Sequence, residues 1–472
     1  MAILDGGGKR SVCRWMLSLY GPLLFVLVYL AFTFLVFAAG PIRWSLTGRE
    51  YALAGLISMG CLVTLALGYF VNVRRDAGLV LEGLRTGDGY LRLGRITVLL
   101  FIVSACFNIL AVWSKLLLQY SPALNLWQCI LNPGLGYVQG QQLQSLYEAG
   151  NIPGSIARYE LLFRALALLS GLGVFWYPLG WLAWRMLRLW MKLLFLFSLA
   201  STLLYYWIIG TQMGFGMLVF AALPVFIYRS ACAGCGKAPH GKRAGRNAAA
   251  QLTALVLAFV LLFAGMQLSR AGAKNAQTLD IGSVVKNESL YTLRWGGAAE
   301  SKAMYGAMML TFYVGHGYAG LGKSTGLPFK WTYGLGWSYG LLQLSEKYAG
   351  VSGVWERTYL YRNERINHWP ALAYWSTLYP WLASDVTYWG VPVAMGLAGM
   401  FFAAMWKDLT ARRSAIAATV LAQLFQLFAM VPANNQLFNT ISGFFSSVLV
   451  LALYILSRTR LWRRWEGGGN PL

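Results

Sequence analysis

Ten stretches of this chain read as apolar helices at or near the length needed to cross a lipid bilayer: residues 16–39, 51–72, 96–114, 161–183, 193–209, 213–228, 248–268, 386–406, 414–432 and 439–457. A hydrocarbon core of about 30 Å takes roughly 20 helical residues. Backbone N–H and C=O groups find no water there, so such runs must pair them internally as helices. The expected fold is therefore an all-α polytopic membrane protein with about ten transmembrane helices. Two further apolar stretches, 303–321 and 366–383, lie in the interface or re-enter, and the count is twelve if both cross. Composition agrees: 58% of the residues are hydrophobic and 12% charged, against about 25% charged in soluble proteins. A soluble enzyme, a disordered tail and a nucleic-acid-binding domain are excluded, so the bilayer is an expected partner and nucleic acid is not.

Lys9, Arg10 and Arg14 precede the first run, as in a signal peptide. The run is too long for a cleaved signal, so it is expected to be a retained anchor. Gly210, Thr211 and Gln212 alone separate the fifth and sixth runs, which predicts a tight hairpin with a short second arm.

The net charge of +23 acts first as a topology signal. With the N-terminus inside, 23 of the 39 basic residues fall on cytoplasmic segments and five on the short outer loops and the start of the fourth span. This is the positive-inside pattern, and it places both termini in the cytoplasm. The remaining 11 basic residues lie in 269–385. The predicted organisation is an N-terminal bundle of seven spans over 1–268, a large outer loop over 269–385, and C-terminal helices with a basic tail over 386–472. The outer loop is rich in Trp and Tyr, which argues for order.

That loop holds the densest outer charge cluster: Glu356, Arg357, Arg362, Glu364, Arg365 and His368. In a helix, Arg362, Arg365 and Trp369 would share a face by i, i+3 and i+4 spacing. Guanidinium groups bind oxyanions in bidentate fashion, so Arg357, Arg362 and Arg365 are candidate diphosphate ligands; a solvated amphipathic helix is the plainer reading. Arg158 and Arg164 flank the outer end of the fourth span and face either a polar cavity or the interface by snorkelling. Arg294 is a further candidate. Asp385 opens the eighth span, where an acid caps the helix or takes a proton from a hydroxyl. His316, His368 and Glu364 complete the candidate acids and bases, although a lone His is most often structural.

Cys232, Cys235 and His240 fall short of the four ligands of a structural zinc site, and neither a metal nor a cofactor is expected. Asn287-Glu288-Ser289 is a glycosylation triplet, meaningful only in a eukaryotic secretory setting.

Three local patterns carry a family resemblance. Ile208 to Gly214 resembles a Gly-Thr/Ser-Arg-Gly turn at the outer end of a span, with Gln212 in place of the arginine. Tyr313 to Tyr318 resembles an aromatic and glycine stretch of a large loop. Trp375 to Gly390 resembles an acid-led segment opening a late span. Over roughly residues 190–457 the chain resembles the O-antigen polymerases (Wzy-type oligosaccharide repeat unit polymerases), to which the O-antigen ligases are related.

The resemblance implies a GT-C-like architecture in the bacterial inner membrane, with the active site facing the periplasm. It implies polymerisation of undecaprenyl-diphosphate-linked repeat units into O-antigen, capsule or exopolysaccharide without a metal, and a chain-length regulator as partner. With Gln212 at the turn, Arg164, Arg357, Arg362 or Arg365 must supply the missing cation. Trp331, Trp337, Trp355, Trp369 and Trp375 offer faces for sugar rings. The alternatives are a ligase moving glycan onto lipid A or protein, and a lipid-linked glycan transporter. The first outer loop, Gly40 to Glu50, carries a single acid, against a metal-dependent acidic-loop glycosyltransferase.

Overall fold

The computed structural model describes residues 8–120, 125–148, 154–235, 239–273, 290–294 and 301–466. Helices dominate it. Among the described residues, seven helices are long and apolar enough to cross a membrane: Ser18–Ala39, Gly48–Arg75, Arg95–Tyr120, Leu189–Ile208, Met213–Cys235, Ala250–Ala273 and Leu378–Thr410. Glu160–Leu168 and Ser170–Ala183 make an eighth if counted together, bent by 59°. The protein is thus a helical multi-pass membrane protein. The last two expected spans are the shorter helices Ala415–Met430 and Ile441–Ser457.

The bend in the fourth run has a packing cause. Gly171 lies so close to Ile441–Ser457 that an added Cβ would stand 2.8 Å from the Leu449 Cβ. The chain tightens into a 3-10 turn, Ser170–Val174, to make that approach. The expected hairpin at Gly210 also takes another form. Leu189–Ile208 packs mainly on Arg95–Ser114, and Met213–Cys235 packs mainly on Pro239–Ala273. Helix Pro133–Glu148 seats in the turn: a Cβ on Gly210, whose φ is +60°, would meet the Pro133 carbonyl oxygen at 2.1 Å.

The tightest helix pair is Gly48–Arg75 with Leu378–Thr410. Small residues set this contact, as expected where lipid offers no hydrophobic drive to association. Added Cβ atoms would lie 2.0 Å from the Gly396 oxygen at Gly68 and 2.1 Å from the Leu65 oxygen at Gly399.

The expected boundaries at 268 and 385 fall inside helices. Pro239–Ala273 runs past the first, and Leu378–Thr410 begins before the second. Residues 303–321 belong to one helix, Lys302–Ser324, started by Ser301, whose Oγ accepts from the Met304 N–H. It packs against Pro239–Ala273, the first helix and Gly48–Arg75, so it is a core element. Residues 366–383 are not one segment. Helix Tyr359–Asn367 stops where His368 turns left-handed at φ 54°, and the next helix starts at Leu378. A two-stranded antiparallel ladder, Ile42–Trp44 with Tyr291–Leu293, ties the first loop to the long segment and pairs Arg43 with Thr292.

Candidate active site at the Asp385 end of the bundle

Asp385 does not open its helix. It is the eighth residue of Leu378–Thr410, two residues before a break at Thr387 (φ 63°, ψ 164°). Positive φ is costly for a β-branched residue, so surrounding contacts must hold it. Asp385, just before the break, is tied to a distant loop. Its Oδ1 accepts from the Gly334 N–H at 2.8 Å and its Oδ2 from the Trp337 N–H at 2.9 Å. Thr332 Oγ1 shares its proton between Asp385 Oδ1 and the Ser384 carbonyl. Loop residues 332–337 are thus wrapped around one carboxylate.

The arginine cluster grips the same loop from the other side. Arg357 Nε donates to the Trp331 carbonyl at 2.6 Å, and its guanidinium lies 4.9 Å from the Tyr333 ring centre. Arg362 is buried. Its Nε donates to the carbonyls of Arg357 and Thr358 at 3.1 and 3.2 Å, and its Nη1 to that of Pro328. Its Nη2 is buried without a partner among the described residues. Three groups proposed from sequence therefore converge on residues 328–337. Of that loop, sequence reasoning named only Trp331 and Trp337, as faces for sugars; Thr332 and Gly334 were missed.

The shared face of Arg362, Arg365 and Trp369 does not form. The helix ends before Trp369, Arg362 turns inward, and Arg365 stays exposed. Glu364 and His368 are also exposed, with Glu364 Oε2 accepting from the Ala371 N–H.

His316 sits elsewhere, buried in Lys302–Ser324. Its Nδ1–H donates to the Phe312 carbonyl at 2.9 Å, and its ring stacks on Phe312. Burial pushes its pKa down to about 4. That is the setting of a neutral packing residue, with the Trp375 ring centre 5.9 Å away.

The turn motif has a cation that sequence reasoning missed. Buried Arg270 donates to the Gly210 carbonyl through both Nε and Nη2, and lies 3.7 Å from the Tyr137 ring centre. The signal was a charge near the end of the otherwise apolar span Ala250–Ala273, which must face protein rather than lipid. With Nε and Nη2 committed to Gly210 and Nη1 donating to the Tyr313 hydroxyl, Arg270 clamps the turn. Gln212 in the turn is buried, its Nε2 unpartnered among the described residues.

The other arginines have local partners. Arg164 pairs with Glu160 and lines a cavity of about 220 Å³ with Gln119 and Phe163. Arg158 lies 4.9 Å from the Tyr159 ring centre. Arg294 Nη2 donates to the Ala38 carbonyl. Cys235 Sγ is 3.0 Å from Ser18 Oγ, whereas the His240 side chain and Asn287-Glu288-Ser289 lie outside the described residues.

No family model matches the chain, and neither the curated proteins nor the solved structures include a match. The fold and site define a class, a helical multi-pass membrane protein with an aromatic and arginine-rich loop at one end.

Proposed function

We propose that this chain is a membrane glycosyltransferase that joins undecaprenyl-diphosphate-linked oligosaccharides into a polymer at the outer face of the bacterial inner membrane. The observation that carries the reading is the convergence of Arg357, Arg362 and Asp385 on residues 328–337. The basic-residue bias supports placing this end outside.

Lipid access supports the same reading. Beyond the break at Thr387, Trp389, Val393, Leu397 and Met400 form an exposed stripe on Leu378–Thr410. Their spacing of three and four residues is one helix face, which on a membrane span faces lipid. The stripe begins four residues after Asp385, which with Ser384 holds Thr332, and the neighbouring loop residues Phe329, Trp331 and Tyr333 are exposed. A lipid-linked diphosphate reaching the loop from the side would meet Arg357 at headgroup depth.

In the proposed step, the acceptor hydroxyl oxygen bonds to the donor's anomeric carbon. The bond from that carbon to the diphosphate oxygen breaks, and the electron pair leaves with the lipid diphosphate. Arg357 and Arg365 stabilise the departing charge. Glu364 or His368, the exposed acid and base on the same turn, takes the hydroxyl proton. Asp385 and Arg362 position the loop, and His316 supports the segment behind it.

The test is single alanine substitution of Arg357 and Arg365 in a strain lacking this gene. Loss of the polymer ladder with normal protein level supports the reading, and wild-type chain lengths from both overturn it. Glycan found on lipid A or protein instead of extended on the lipid diphosphate would make the chain a ligase.

A further inference from the structure

The opposite end of the bundle holds a second charged site that the glycosyl-transfer reading does not use. A cavity of about 270 Å³ opens there, lined by Asp76, Lys407, Asp408, Arg412 and Arg458, with Leu79 and Ala404 among its apolar walls. Three cations face two carboxylates, leaving one positive charge in excess.

The carboxylates set the cations in place. Asp408 is buried and receives Arg412 Nη1 at 3.0 Å on Oδ1, with Arg458 Nη1 and Tyr454 OH on Oδ2. Lys407 Nζ lies 2.6 Å from both Asp76 Oδ2 and Asn72 Oδ1. Arg412 gives Asp408 one terminal nitrogen, and 59% of its side chain stays accessible. Its remaining donors form the kind of fork that takes a phosphate.

The depth of the cavity also fits. Asp76 directly follows span Gly48–Arg75, Lys407 and Arg412 bracket the end of Leu378–Thr410, and Arg458 directly follows Ile441–Ser457. The ends of three apolar helices lie where headgroups lie. The apolar wall beside the cations suits the glycerol and first methylenes of a phospholipid. The surrounding ends are basic, with Arg74, Arg75, Arg85, Arg413 and Arg460, and basic pockets between helices on that side of a membrane recruit anionic headgroups.

We infer that the cavity between Lys407, Arg412 and Arg458 is a phosphate-binding site whose ligand is the phosphodiester of an anionic phospholipid. The inference stands independently of the polymerase reading.

Thermal unfolding of the purified full-length protein in neutral detergent tests it, with phosphatidylglycerol, diacylglycerol or millimolar inorganic phosphate added. The expected result is a saturable rise in Tm of about 3–6 °C with phosphatidylglycerol and none with diacylglycerol. An equal rise with inorganic phosphate would assign the same site to a soluble phosphate. Arg412→Ala removes a ligand, and Ala404→Phe fills the cavity while leaving every cation, so each abolishes the rise. No rise in the wild type with either phosphate compound overturns the site. So does a full rise in Ala404→Phe, which decides the matter if Arg412→Ala fails to fold.

Discussion

Asp385 accepts the backbone N–H of Trp337 at 2.9 Å across 48 residues of chain. With the bonds from Gly334 and Thr332, it makes the kinked helix and the aromatic loop one unit. An acid engaged in this way positions the loop and is poorly placed to take a proton. Replacement by Asn leaves one acceptor oxygen and presents an NH2 group to backbone donors, at about 1–3 kcal/mol for each group left unsatisfied. Asp385→Asn is expected to free the loop, so limited trypsin cuts at exposed Lys330 faster than in the wild type, and polymer formation falls at least tenfold. Unchanged cleavage with lost activity would restore Asp385 as the base.

Arg362 and Arg365 are three residues apart and should fail differently. Arg362 is buried and donates to three backbone carbonyls. Removing charged donors of this kind costs roughly 2–4 kcal/mol, so Arg362→Ala is expected to lower both protein level and Tm. Arg365 is exposed, and Arg365→Ala should lose activity at unchanged Tm. Equal Tm losses in both variants would contradict the inward placement of Arg362.

The seam between Gly48–Arg75 and Leu378–Thr410 has no room for side chains. A Cβ at Gly68 or Gly399 would stand 2.0 or 2.1 Å from a backbone oxygen, and backbone cannot swing aside as a side chain can. Gly68→Leu and Gly399→Leu are expected to abolish a monodisperse peak in size-exclusion chromatography. Gly140→Ala is the control, since none of the described residues lies within 4 Å of the new Cβ, and helix propensity favours Ala over Gly by about 1 kcal/mol.

Helices were legible in the sequence because a run of roughly 20 apolar residues has one physical solution in a bilayer. Where a helix bends was not. The break after Leu168 follows from Gly171 meeting Leu449, and the one at Thr387 lies beside a carboxylate bound to a distant loop. Both are long-range contacts without local periodicity. Charged residues showed the same limit. Arg357 and Arg362 stood out by density, but their shared partner, residues 328–337, reads as an ordinary Gly and Trp loop. Arg270 was hidden because a single basic residue at a helix end also reads as a topology charge. His316 was conspicuous among three histidines, and its stacking on Phe312 shows why rarity alone does not make a catalyst.

His316 also gives the protein a defined pH dependence. Burial holds its folded pKa down to about 4, below the roughly 6.5 of an unfolded histidine. The unfolded chain therefore takes up a proton that the folded chain refuses. Stability from this group is complete above about pH 6.5 and declines as pH falls through the folded value, by up to about 3 kcal/mol. His316→Phe keeps a planar ring against Phe312 and Trp375 and removes the titration. Between pH 7 and pH 5 the wild-type Tm is expected to fall further than that of His316→Phe. Parallel curves for the two proteins would mean that His316 titrates alike in the folded and unfolded chain, and that its ring is open to solvent.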